Sequence, residues 1–243
     1  MTRPIRLGML TPSSNIVLEP LTASMLSGLA DVTAHFGRFK VTEIALSREA
    51  VQQFEPSEIL RACELLSHAK VDVIAWNGTS ASWLGFDTDE HLCARITAET
   101  AIKASTCVLA YRDIFLKQSI TRIGLVSPYT DDVQERIIDN WARSGVRCVS
   151  ERHAGIKDNF SFGELSEAQI ADMIRQVATT PCDAIVVLCT NMRGAPLAEP
   201  LERELGVPIY DSVAVTLWKS LCAAGVDPGR VKGWGSLFAI DSR

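Results

Sequence analysis

Two stretches of this chain close an apolar run with small hydroxyl, amide and thiol residues, and one carries a thiol where the other does not. Val71-Asp-Val-Ile-Ala-Trp-Asn-Gly78-Thr79-Ser80 is echoed by Cys182-Asp-Ala-Ile-Val-Val-Leu-Cys189-Thr190-Asn191, so Cys189 stands where the first copy has Gly78. A second pair repeats the pattern: Ile5-Arg-Leu-Gly-Met-Leu-Thr-Pro12-Ser-Ser14 is echoed by Thr121-Arg-Ile-Gly-Leu-Val-Ser-Pro128-Tyr129-Thr130. Two facing copies would set these strand ends across one cleft, with Cys189 on one wall and Gly78 on the other. A lone thiol there can move a proton or attack an electrophile. The loops Thr11 to Asn15, Gly78 to Ser82, Ser127 to Thr130 and Cys189 to Asn191 would offer N–H and hydroxyl donors at helix starts, where carboxylate or phosphate is favoured. The same helix-start amides are expected to lower the Cys189 pKa from its free value of about 8.5. Taken singly, Asn77-Gly78 also fits a hairpin turn, and Ser or Thr before a helix fits an N-cap. Four such loops in matching positions favour an anion cleft.

The elements that would hold these loops alternate along the chain. Runs at Ile5 to Leu10, Val71 to Trp76, Ile123 to Val126 and Ile185 to Leu188 have the length and branched content of buried parallel strands. Glu58 to Ala69, Asp132 to Ser144, Glu167 to Ala178 and Leu197 to Leu205 repeat apolar residues at helical spacing, and Gly145 and Gly206 follow two of them as C-caps. This order predicts an α/β protein of two similar Rossmann-like (flavodoxin-like) halves with parallel sheets, related by a pseudo-twofold, with the active site in the cleft between them. Residues 1–115 form the expected N-terminal half and 116–211 the C-terminal half. Residues 212–243 read as a helix through Leu217 and Leu221, a Gly/Pro-rich turn and Gly233-Trp-Gly-Ser-Leu-Phe, expected to pack back on the first half.

Composition narrows the function. No apolar run reaches the roughly 20 residues of a membrane span, and Met-Thr-Arg-Pro leads into a short strand, which predicts a cytoplasmic protein without a membrane role. A net charge of −5 without a Lys/Arg-rich run argues against nucleic acid and for a small-molecule partner, leaving homo-oligomerisation open. The seven cysteines have no C-x2-C spacing, so neither a metal nor a disulfide framework is indicated. Cys63, Cys107, Cys148 and Cys222 read as core. G-x-G-x-x-G, GK[ST] and G-x-S-x-G are absent, and His35, His68, His91 and His153 are isolated, so a cofactor-dependent reaction or a Cys-His dyad is poorly supported.

At these residues the chain resembles the aspartate/glutamate racemase superfamily, within it the branch of maleate cis-trans isomerases and arylmalonate decarboxylases. The resemblance spans nearly the whole chain. Thr11-Pro-Ser-Ser-Asn15 looks like the isomerase opening loop, Ser127-Pro-Tyr129 with Asp131-Asp-Val-Gln-Glu-Arg136 is similar to both groups, Cys189-Thr-Asn191 is isomerase-like, and Gly78-Thr-Ser80 resembles the decarboxylase. Superfamily racemases and isomerases carry a cysteine at both strand ends, whereas the decarboxylase keeps the second. The resemblance implies that Cys189 is catalytic, that Tyr129, Thr79 and Ser80 bind carboxylate, and that Asn15 and Asn159 match isomerase asparagines. With Ser14, Gly78, Thr190 and Asn191 these complete the candidate substrate site, with no metal and no cofactor.

Cofactor-free racemisation needs an acid and a base on opposite faces of one carbon, and Gly78 removes one partner. Loss of CO2 from a malonate-type acid needs donors for the enediolate and one thiol to protonate carbon. The expected substrate is therefore a small dicarboxylate, an aryl or alkyl malonate. Trp76, Trp83, Leu84 and Phe86 are candidates for an apolar wall that destabilises the departing carboxylate. Maleate-type isomerisation, amino-acid or hydantoin racemisation, and a dicarboxylate-binding paralogue without turnover remain as alternatives.

Overall fold

The protein is described here by a computed structural model covering residues 3–54 and 56–241. In chain order its elements are β1 (Ile5–Pro12), α1 (Leu18–Leu26), β2 (Val32–Phe39), α2 (Arg48–Gln52), α3 (Pro56–His68), β3 (Val73–Trp76), α4 (Ala81–Leu84), α5 (Phe86–Thr100), β4 (Lys103–Thr106) and α6 (Cys107–Gln118). There follow β5 (Arg122–Ser127), α7 (Asp131–Arg143), β6 (Arg147–His153), α8 (Asn159–Phe162), α9 (Glu167–Ala178), β7 (Ala184–Val187), α10 (Ala195–Leu205), β8 (Ile209–Asp211) and α11 (Ser212–Ala223). Two four-stranded sheets result, ordered β2-β1-β3-β4 and β6-β5-β7-β8. Every paired neighbour is parallel, so the same topology is built twice.

The inner strands β3 and β7 are buried at every residue, which is why they read as continuous apolar runs. The edge strands β2 and β6 are half-exposed and carry Thr33, His35 and Arg38, or Arg147, Ser150 and Glu151, so no apolar run announces them. β4, Lys103-Ala-Ser-Thr106, and the three-residue β8, Ile209-Tyr-Asp211, carry polar residues and no continuous apolar run, so nothing in their composition marks them.

Helix ends follow the local chemistry. Ser166 and Gln169 form a reciprocal capping box at α9, and α10 stops at Gly206, whose φ of 69° suits glycine. The Asp211 carboxylate accepts from the Val213 and Ala214 N–H groups at 2.8 and 3.2 Å and caps α11. α11 lies against β3, β4 and α6, and its Trp218 Nε1 donates to Ile240 O at 3.3 Å. Beyond it, Arg230 pairs with Asp31 at 2.5 Å, while Glu202 on α10 accepts from Ser236 N at 2.7 Å, so the tail touches both halves. No described helix is long and apolar enough to cross a membrane.

Candidate active site

The C-terminal ends of β1, β3, β5 and β7 converge where the halves meet. Asn77, Gly78, Thr79 and Ser80 follow β3; Pro128 and Tyr129 follow β5; Leu188, Cys189, Thr190 and Asn191 follow β7. Between them lies a small, partly enclosed cavity of about 20 Å³, lined by Gly78, Thr79 and Ser80 from one half and Tyr129, Asn159, Cys189 and Thr190 from the other. A space of that size holds about one water. Its roof is the segment after β2, which contributes Val41, Ile44 and Phe54. That segment is clipped to the opposite half by Ile44 N to Lys157 O at 2.9 Å, Asn159 N to Thr42 O at 2.9 Å and an antiparallel bridge between Glu43 and Asp158.

Cys189 is 3% exposed, and burial pushes its thiol up to about 12. The Asn191 N–H, 3.3 Å from Sγ, and the Tyr129 hydroxyl pull in the other direction without offsetting the desolvation. This corrects the expectation of a lowered thiol. A turn at Thr190 and Asn191 and the stretch from Met192 to Gly194 separate Cys189 from α10, which begins at Ala195, so the helix amides are not at the sulfur. The result is a neutral S–H at physiological pH, suited to giving a proton rather than attacking as thiolate.

Donors surround that thiol. The Tyr129 hydroxyl is 2.6 Å from Thr79 Oγ1 and also hydrogen-bonds to Cys189, and burial raises its own pKa well above the ordinary phenol. Ser80 sits at the N-cap position of α4 but makes no side-chain capping bond, so its hydroxyl is spare. Trp83, in edge-to-face contact with Tyr129 at 5.3 Å, is a lining residue of the cavity, and its buried indole N–H has no hydrogen-bond partner. Trp83 is thus both part of the expected apolar wall and a spare donor, which the sequence does not reveal because an indole presents a polar edge only once its packing is known.

Ser14, Asn15 and Asn191 stand one layer behind the cavity. Asn15 Oδ1 accepts from Val17 N and Leu18 N, both at 2.9 Å, capping α1, while its Nδ2 reaches across to Thr190 O at 3.1 Å and Thr190 Oγ1 at 3.3 Å. Asn191 answers symmetrically: Oδ1 accepts from Ile16 N at 2.9 Å, and Nδ2 donates to Asn159 O at 2.6 Å. Asn159 Nδ2 donates to Ser14 Oγ at 2.8 Å, and Thr190 Oγ1 donates to Asn77 O at 2.9 Å. These amides tie one half's loops to the other's.

The Gly78 wall differs from the expectation of an open position facing the thiol. A Cβ built on Gly78 would fall 1.9 Å from Cζ2 of Trp76, so the indole already fills the space a second cysteine would need. Gly78 is absent from the positive-φ residues, so the obstacle is steric rather than conformational. Of the proposed apolar wall, Trp76 and Trp83 line the cavity, Leu84 lines a neighbouring space that shares Trp76 and Ser80 with it, and Phe86 faces a separate pocket beside α6. The described His, Cys, Asp and Glu residues form no cluster of three that could hold a metal.

Known proteins resemble this chain along most of its length. A maleate isomerase of Geobacillus stearothermophilus is 23% identical over 91% of the chain and 92% of its own length. An arylmalonate decarboxylase of Bordetella bronchiseptica is 25% identical over 68% of the chain and 70% of its own length. A maleate isomerase variant of Pseudomonas putida, solved with maleate, superposes with a TM-score of 0.89 at 23% identity, covering 98% of both chains. A Nocardia farcinica maleate cis-trans isomerase variant with a covalently bound succinylcysteine intermediate superposes with a TM-score of 0.89 at 21% identity, over 98% of this chain and 99% of that one. The arylmalonate decarboxylase family model matches residues 16–238, and the chain belongs to that family, in the maleate isomerase and arylmalonate decarboxylase branch of the Asp/Glu racemase-like superfamily.

Proposed function

We propose that the enzyme removes CO2 from a small α-substituted malonate without a cofactor, with Cys189 as the proton donor. One observation carries the reading: a thiol kept neutral by burial faces a glycine whose side-chain space is filled by an indole, so one face of the substrate has an acid and the other has none. In this reading the retained carboxylate lies among Thr79, Ser80 and Tyr129, with the Trp83 N–H as a further donor. The carboxylate that leaves sits against the apolar cavity wall. Its C–C bond breaks and the electron pair moves into an enediolate, which the donors stabilise as charge builds. The Cys189 S–H then protonates the α-carbon from one side. The thiolate left behind meets the Tyr129 hydroxyl and the Asn191 N–H until solvent returns a proton.

A second reading, cis-trans isomerisation of maleate, is favoured by the names that several similar proteins carry. It asks Cys189 to attack as a thiolate and a partner group to deliver a proton, and both the raised thiol and the Trp76-filled Gly78 wall weigh against it. Steady-state assays of CO2 release from phenylmalonate, run beside fumarate formation from maleate, separate the two. Turnover of phenylmalonate without turnover of maleate is the expected result, and the reverse overturns the proposal.

A further inference from the structure

Next to the Cys189 cavity lies a second space of about 280 Å³ between α5, α3 and the segment after β2. The two spaces share Phe54, Trp76 and Ser80 in their walls. The larger one contains Asp89, which is 2% exposed, and whose Oδ2 has no hydrogen-bond partner. Asp89 belongs to the first turn of α5, where an acidic residue ordinarily serves its helix from the solvent side. Here it is buried instead, and burial pushes its carboxyl up to about 7 against one opposing bond from the Thr106 side chain. A buried carboxyl with a free oxygen costs stability unless something binds it.

We infer that this space is a substrate subsite, which receives the α-substituent past Trp76 and recognises a hydroxyl on it through the free Asp89 oxygen. The inference rests on the malonate reading above, because it is the substrate's carboxylates in the Cys189 cavity that direct its substituent here. Phe54, Ile59, Trp76, Leu84 and Leu92 give an aromatic substituent an apolar wall, while Asp89 shares the lining with Ser80, Thr88, His91 and Arg95, the last of which pairs with Glu99. A site built to hydrogen-bond a hydroxyl discriminates strongly against the analogue lacking it, since its own polar group is then left unpaired. Selection here is thus by the substituent's polar end, while the reacting carbon is handled on the other side of Trp76.

The test is calorimetric binding of non-reacting acids to the intact protein: phenylacetate, 3-hydroxyphenylacetate and 4-hydroxyphenylacetate. At least one hydroxylated acid should bind about tenfold or more tightly than phenylacetate. Asp89→Leu should erase that preference without weakening phenylacetate, and Asp89→Asn, which keeps an acceptor of the same shape, should retain part of it even if the leucine variant fails to fold. Equal affinities in the wild type, or a preference that survives in both variants, overturns the inference, as does an absence of binding by all three acids. Parallel CO2 assays on the corresponding malonates keep the two claims apart. Hydroxyl preference without any CO2 release sinks the decarboxylase reading and leaves the subsite standing, whereas CO2 release without the preference does the opposite.

Discussion

At the scale of single residues, the account turns on a thiol whose protonation state is set by packing rather than by sequence neighbours. Cys189→Ala should lose CO2 release by about a thousandfold or more, with a far-UV spectrum and melting temperature near wild type, because the residue is small. Ser80→Ala and Tyr129→Phe each remove one donor and should slow turnover by roughly a hundredfold to a thousandfold. Wild-type kinetics in both would reduce the donor ring to scaffolding. Gly78→Cys should cost stability and show no gain of α-proton exchange, because its Cβ meets the Trp76 indole at 1.9 Å. Pairing it with Trp76→Val should recover the fold and permit exchange, measured as loss of optical purity in the product acid. The repeat itself pairs Cys189 with Gly78, whereas Ser80 and Tyr129 are singled out as carboxylate binders by the family resemblance. What the sequence could not show was the raised thiol and the filled Gly78 wall, since both depend on side chains folding over from elsewhere, Trp76 above all.

At the scale of elements, the strands and helices that support the site were legible where burial is complete on both faces. β1, β3, β5 and β7 run within two residues of their expected ends, and α9 spans Glu167–Ala178 as its periodicity predicts. β2 and β6 escaped notice because an edge strand needs no continuous apolar run. The roof over the cavity was also invisible, because Val41 and Ile44 lie in an irregular stretch and Phe54 just past the short α2, and their place over the site is set by contacts with the opposite half through Thr42, Glu43 and Ile44. A dicarboxylate needs more room than the roughly 20 Å³ beneath this roof, so the proposed reaction predicts that the roof opens to admit substrate. Gln53 holds it folded, accepting from Thr42 N at 2.8 Å and donating to Glu43 O at 3.0 Å and Ala50 O at 3.1 Å. Gln53→Ala should loosen the roof, raising KM several-fold and speeding proteolysis between residues 40 and 54. Unchanged KM and an unchanged cleavage pattern would show that access lies elsewhere.

At the scale of the molecule, two halves of one topology are locked by buried amides and carry buried acids that leave a trace in stability. Burial pushes both Asp89 and Asp211 from 3.8 up to about 7, opposed by Thr106 at the first and by the Ala214 and Val213 N–H groups at the second. A carboxyl whose folded pKa is raised favours folding fully below its unfolded value and loses that contribution as pH climbs through the folded one. Asp183 acts in the opposite sense. The Thr121 N–H holds it below 3.8 against slight burial, with help from the Arg122 N–H, so its contribution is present above that value and lost in acid. Thermal melts should therefore show stability declining from about pH 4 to about pH 7, with Asp89→Asn and Asp211→Asn each flattening that limb. A wild-type profile that rises over the same range would contradict the buried-acid assignment. The chemistry itself is best read at the carbon where CO2 departs. In D2O, phenylmalonate should yield phenylacetate carrying one deuterium at the α-carbon, delivered to a single face. With α-methyl-α-phenylmalonate the product should be one enantiomer, and Cys189→Ala should give neither product. Racemic product from the wild type, or undiminished CO2 release from Cys189→Ala, would contradict a single thiol acting from one side.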